Sequence, residues 1–433
     1  MLKTNLFNMF LRSPTIVMMA TPLIFLAVRF PLAPVAWPSR SPMECINPGG
    51  GFEGCGFIFD EAHYLPAIRR IMLGERAVNL EHPPLSKMII WLGIALLGDN
   101  PWGWRTFNVL FSASTVFIAG LLAYRFMKNL RIPILAQLLL LTDITFFNVS
   151  GLAILDPPAL FFMMLTLYLY VSGRWLLSSI PLGLAMLSKS SSILVIPAVL
   201  AIEMAYPVIN GERIIDLIDR AKNVVRKIVI PSSIIFLLGL GVYDAWSGAF
   251  PTPLHHLDFI LRYHSGLVFQ DPKPVEMPLS WIIPPIARQP SAFYVVTVQP
   301  PGWHPVAFWG VSSPLWWSIW LLIPLAYVLV RDRRPIPNPS LEALFIAWTV
   351  VTYGSLMALA YIYHRWVYSF YFLQVSILMA VALPVILERN GLRLILKIIL
   401  ALQILWFIMW FPVKPDWLLD IMLNLGLGEV PWI

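Results

Sequence analysis

Charge is what this sequence has least of. Of 433 residues only 12% are charged and 58% are hydrophobic, with a mean hydropathy of +0.75. A soluble globular chain carries roughly a quarter of its residues charged, so this composition excludes one and makes lipid part of the solvent. The formal charge is +7, but the basic residues form neither a stripe nor a reading module, which excludes nucleic acid as the partner. Cysteine is nearly absent: Cys45 and Cys55 flank the glycine-rich run Asn47 to Gly54. In an oxidising compartment they would close a small ring, and two unlinked thiols fit the sequence as well. No clear internal repeat is present either, and that weighs against a secondary transporter built from two related halves.

Long apolar runs are plentiful. Each crossing of a hydrocarbon core roughly 30 Å thick takes about twenty apolar helical residues, with every backbone amide satisfied within the helix. That rule predicts about eleven spans, near 13–30, 104–126, 132–148, 153–171, 174–188, 190–209, 228–248, 304–330, 340–361, 366–387 and 394–411. The first is read as a retained helix, because no small-residue cleavage site follows it. Basic clusters fall on one side when the spans alternate: Arg12; Arg125, Lys128 and Arg131; Arg174; Arg213, Arg220, Lys222, Arg226 and Lys227; Arg331, Arg333 and Arg334; Arg389 and Arg393. The positive-inside rule then makes the N-terminus cytoplasmic. The C-terminus lies outside, in a multi-pass protein of the cell membrane.

The expected organisation is one all-α polytopic domain over 1–411 with an outer tail at 412–433. Residues 31–103 and 249–303 form two long outer loops. The apolar stretch Leu85 to Leu97, opened by Pro83-Pro84, is too short to span and reads as a juxtamembrane helix at the interface. Tryptophans 281, 303, 309, 316 and 317 have the look of an interfacial belt.

Polar chemistry concentrates on the outer side. Phe59-Asp60-Glu61-Ala62-His63-Tyr64 offers two carboxylates and an imidazole, enough for a proton acceptor with a neighbour to tune it. Glu81-His82-Pro83-Pro84-Leu85-Ser86-Lys87 repeats the acid-plus-histidine theme at the head of the interfacial helix. Arg105 and Lys189 are cations at membrane depth, where charge is costly and commonly functional; a cation amid serines, as at Lys189, suits a phosphate. Tyr361, Tyr363, His364 and Arg365 form a third outer cluster, and Asp156 falls near the outer end of a span. For His255, His256, Arg262 and His264, in the second loop, solvent exposure is the default reading. A divalent ion could be held by Asp60, His63, Glu81 or His82, since oxygen and imidazole ligands suit several metals, but the spacing singles none out.

The order Asp60-Glu61, then His82-Pro83-Pro84-Leu85-x-Lys87, then Gly103-x-Arg105 resembles the protein O-mannosyltransferase family of GT-C glycosyltransferases. The specific motifs cover mainly residues 57–125. The resemblance implies an inverting enzyme that moves mannose from a polyprenyl (dolichyl) phosphate to serine or threonine hydroxyls of proteins on the non-cytoplasmic side. It implies Asp60 as catalytic acidic residue with Glu61 beside it, and Arg105 on the donor phosphate, assisted by Lys189 and Lys87. His63, Glu81, His82, His364 and Arg365 would meet the sugar or the acceptor. Ser86 stands where the family commonly has glycine, and no β-trefoil module occupies the second loop, so a prokaryotic or archaeal relative fits better than a eukaryotic one. A GT-C transferase acting on a lipid or glycan remains an alternative acceptor reading.

Overall fold

The computed structural model describes residues 14–47, 49, 51–269, 277–284, 291–295, 302–303 and 306–425. Arg12 of the first basic cluster, parts of the second outer loop and the last residues of the tail lie outside these.

Among the described residues eight helices are long and apolar enough to cross a membrane: Pro14–Leu32, Pro101–Phe126, Ser190–Asn210, Ile214–Ser247, Pro314–Asp332, Leu341–Tyr361, Ser369–Arg389 and Arg393–Trp410. Shorter apolar helices occupy Arg131–Leu141, Asp156–Val171, Trp175–Ser188 and Leu85–Leu97. The protein is thus an all-α polytopic membrane protein. Ser369–Arg389 forms its axis, with 94% of its apolar window buried against 22% for Arg393–Trp410.

Three expected spans take other forms. The stretch 132–148 is broken, because Asp143 accepts from the Phe146 amide and restarts the chain as a second short helix, Ile144–Val149. The stretch 304–330 begins without helix: Ala307–Gly310 is a strand paired antiparallel with Ser291–Val295. Thr145 and Asn148 bond to the main chain at Val311 and Trp309, 2.8 Å each, which holds that segment extended until Pro314 opens the helix. The stretch 153–171 turns helical only at Asp156, where Pro157 and Pro158 occupy first-turn positions that need no amide donor.

At one end the segments around residues 126, 210, 336 and 389 meet. There Arg389 bonds Glu342 and the Phe126 carbonyl at 2.8 Å each, and Asn210 holds the Ile336 amide at 2.8 Å. The amphipathic helix Ile214–Val224 lies at this end and runs through a π-helical stretch, Val225–Val229, into the next span.

At the opposite end the outer segments knit together. Helix Glu61–Met72 and helix Leu85–Leu97 come from the first, and helix Pro253–Gly266 from the second. Leu85–Leu97 lies against Pro101–Phe126 so closely that a Cβ on Gly93 would sit 2.2 Å from the Gly103 carbonyl. Cys45 and Cys55 are joined in a disulfide, within a loop that Arg40 ties down through the Gly51, Glu53 and Glu44 carbonyls.

Candidate active site

Asp60 caps the start of helix Glu61–Met72 with its backbone, and its carboxylate makes no side-chain hydrogen bond or ion pair among the described residues. Phe59 precedes it with a positive φ of 53° and packs edge-on against Tyr368 and Phe370, at 5.9 and 5.5 Å between ring centroids. Burial pushes the Asp60 carboxyl up to about 6, opposed by His63 and Lys189 and reinforced by Asp156. A group poised there exchanges protons readily near neutrality, as a general base must.

Glu61 has no exposed surface and accepts from Ile58 N at 2.8 Å, Ala153 N at 2.7 Å and the Arg105 guanidinium at 2.7 and 2.6 Å. Arg105 is equally enclosed. Its remaining N–H groups go to the carbonyls of Ala33 at 2.7 Å, Val35 at 2.5 Å and Gly56 at 3.0 Å. All five donors are used, which leaves the guanidinium nothing to offer a phosphate. Arg105 thus clamps the 33–56 segment under Asp60, and in this arrangement no guanidinium N–H turns towards the expected donor phosphate. Lys87 is turned inward in the same way: Nζ donates to the carbonyls of Asn79 and His82, the latter at 3.0 Å, and to Asn79 Oδ1 at 3.4 Å. Burial holds its ammonium down to about 8, against the pull of Glu81.

Lys189 is 9% exposed and paired with Asp156 at 2.6 Å, its ammonium over the rings of Tyr371 and Phe370 at 4.4 and 5.0 Å. It faces Asp60 as a positive neighbour with its charge balanced by Asp156.

A second group assembles beside this one from three parts of the chain. The rings of His82 and His264 lie 5.3 Å apart, and Tyr64 packs edge-on to His82. Arg365 donates to the His264 carbonyl at 3.0 Å and to its Nδ1 at 2.9 Å. Since a guanidinium can only donate, the His264 proton sits on Nε2, 3.5 Å from Ser190 Oγ. Burial, then Arg365, holds His264 down to about 4. Burial, then Lys87, His264, Lys189 and Arg365, holds His82 well below its ordinary value, and its buried Nδ1 has no partner among the described residues. Burial keeps both imidazoles neutral, and the cations around them add to that effect.

An apolar cavity of about 340 Å³ opens from this group. His264 and Ser190 supply polar lining beside Pro83, and Ile193, Phe236 and Leu261 are among its apolar walls, between the helices at 190–210, 214–247 and 253–266. A larger, open cavity of about 1000 Å³ lies at the opposite end, between Met204 and Arg226, and holds none of the candidate residues.

His63 is exposed, as is His364, whose ring rests on Phe269 at 5.5 Å. Glu81 accepts from Asn79 Nδ2 at 2.7 Å. No group of three His, Cys, Asp or Glu side chains converges as metal ligands among the described residues, so the divalent-ion set considered from the sequence does not assemble. The exposure expected of His256 and His264 is also corrected: His256 has no exposed surface and His264 is partly buried. His264 and Asp156 enter the site through spatial pairing alone.

Known proteins resemble this bundle in part of its sequence and in its fold. The model of the dolichyl-phosphate-mannose-protein mannosyltransferase family matches residues 81–220. The polyprenol-phosphate-mannose protein mannosyltransferase of Mycobacterium tuberculosis is 29% identical over 112 residues, a stretch that takes in 24% of this chain and only 22% of that protein. The undecaprenyl phosphate-alpha-4-amino-4-deoxy-L-arabinose arabinosyl transferase of Pseudomonas aeruginosa is 28% identical over 165 residues, 34% of this chain and 30% of that one. The S. cerevisiae protein O-mannosyltransferase Pmt1-Pmt2 complex, solved with its sugar donor, shares the fold at a TM-score of 0.68 and 10% identity, over 92% of this chain and 90% of that one. The chain is thus similar to these enzymes in sequence over part of its length and in fold over most of it.

Proposed function

We propose that this protein transfers a sugar from a polyprenyl-phosphate donor to an acceptor hydroxyl, with mannose as the sugar and protein serine or threonine as the acceptor. The observation that carries the reading is a carboxylate without a side-chain partner among the described residues, beside an imidazole and guanidinium cluster at an apolar cavity. The lipid phosphate lies against His82, His264 and Arg365, and the first isoprenoid units enter the cavity past Ile193 and Leu261.

The reaction is one displacement. The acceptor oxygen attacks the anomeric carbon, the bond from that carbon to the phosphate oxygen breaks, and its electron pair leaves on the phosphate. Asp60 takes the hydroxyl proton, and the anomeric configuration inverts. Lys189, held by Asp156, keeps Asp60 ionised enough to act, and the cations beside the phosphate stabilise the charge that develops there. His63, Glu81 and His364 line the approach of the acceptor.

The site and the C-terminus face the non-cytoplasmic side, and the opposite end faces the cytoplasm. Three of the four shorter helices, Arg131–Leu141, Asp156–Val171 and Trp175–Ser188, complete eleven crossings in one transmembrane domain over 1–411. Contacts support this: Asp156 and Lys189 meet at the site end, whereas Trp175 stacks under Lys227 and Tyr170 bonds Glu203 beside Arg220 towards the opposite end.

A second reading is transfer to a lipid or glycan hydroxyl, and the 165-residue match to a transferase of another sugar shows that the resemblance extends beyond protein mannosyltransferases. The test is transfer by the purified full chain from polyprenyl-phosphate-mannose to peptide, glycan and lipid acceptors in parallel. Mannosylated peptide lost in Asp60→Asn supports the first reading, product with the lipid acceptor alone selects the second, and no product with any acceptor rejects both.

A further inference from the structure

His256 belongs neither to the base nor to the anion cluster, yet its ring is fully enclosed between three elements. Nδ1 lies 2.8 Å from Asp244 Oδ1, at the outer end of helix Ile230–Ser247. Nε2 lies 2.9 Å from the carbonyl of Leu80, the residue just before Glu81 and His82. Phe250 stacks on the ring at 4.6 Å between centroids. A carbonyl only accepts, so Nε2 carries a proton whatever the state of the pair, and one further proton is shared between Nδ1 and the Asp244 carboxylate. The tautomer is locked, and with it the link to the 80–82 segment.

The same helix, Pro253–Gly266, carries His264 about two turns further on, where its ring meets His82. The two histidines of the anion cluster therefore come from different outer segments, and His256 ties those segments together a short way behind them. We infer that His256 and Asp244 form a strap between the two outer segments, which sets the spacing of His82 and His264 and makes His256 a positioning residue for lipid-phosphate binding. The inference rests on the reading of that cluster as the phosphate site.

The strap makes a chemical distinction that mere packing would not. In Asp244→Asn the side-chain amide still donates to Nδ1, so Nε2 keeps its proton and its bond to Leu80. In Asp244→Ala Nδ1 loses the partner that keeps the proton on Nε2, so the bond to Leu80 is no longer enforced, and in His256→Ala the tether is gone.

The test uses the full chain in lipid nanodiscs with farnesyl phosphate as the probe. Binding about tenfold weaker in His256→Ala and Asp244→Ala, the scale of one buried charge-assisted hydrogen bond, with Asp244→Asn within about threefold of the parent, supports the strap. Parent-like binding in both alanine variants, or an asparagine variant as weak as the alanine one, overturns it. If the parent itself fails to bind farnesyl phosphate, the reading of the cluster as a phosphate site fails, and the strap is judged by amide exchange over residues 79–83. Faster exchange there in the alanine variants but not in Asp244→Asn supports it, and unchanged exchange overturns it.

Discussion

Asp60 and Glu61 share a peptide bond, yet one carboxylate has no side-chain partner among the described residues and the other has four hydrogen bonds. Both are largely enclosed, so burial alone does not separate them. What separates them is where the partners point. Glu61 turns into the bundle, towards Arg105 and the Ala153 amide, while Asp60 turns to the rim, towards Lys189, Asp156 and the ring of Tyr368. Environment separates the adjacent acids: Glu61 holds the loop, and Asp60 is left for the proton transfer proposed above.

The largest effect that would break this comparison is on turnover. Asp60→Asn is expected to cost about 10²–10⁴-fold in sugar transfer, the range of a lost general base, with little change in thermal stability because no side-chain bond is removed. Next in size is the stability of the clamp. Arg105→Ala or Glu61→Ala leaves a buried charge without its partner and is expected to lose roughly 3–5 kcal/mol, measured as a lower midpoint in thermal or denaturant unfolding.

A smaller effect belongs to the phosphate cluster. Arg365→Ala is expected to weaken polyprenyl-phosphate binding about tenfold, since a charge-assisted donor contributes on that scale, and titration with the lipid phosphate alone reads it. Smaller still is a shift in pH. Transfer should rise with pH as Asp60 loses its proton through about 6. Lys189 favours the ionised form, so Lys189→Met moves the rise to higher pH; a pH–rate profile that stays in place would remove Lys189 from the base's surroundings.

The sequence made the bundle legible through long apolar runs, and it made the rim legible through Asp60-Glu61 and the His82-Pro83-Pro84 segment. Arg105 was legible as a cation worth burying, but not as a clamp. Its partners at Ala33, Val35 and Gly56 are main-chain carbonyls that carry no mark in the sequence. The inward turn of Lys87 onto the carbonyls of Asn79 and His82 is hidden for the same reason. His264 and His256 sit among exposed-looking polar residues of a loop, and only the packing of that loop onto Leu80 and His82 gives them their roles. The break at Asp143 follows from a capping bond to Phe146, which apolar periodicity alone does not reveal.

The difference between the two acids is most directly measured by comparing Asp60→Asn with Glu61→Gln in the same membrane preparation, recording mannose transfer and unfolding midpoint for each. The account predicts a stable Asp60→Asn protein without transfer and a Glu61→Gln protein whose midpoint falls. A destabilised Asp60→Asn beside a stable, inactive Glu61→Gln would exchange their roles and contradict it.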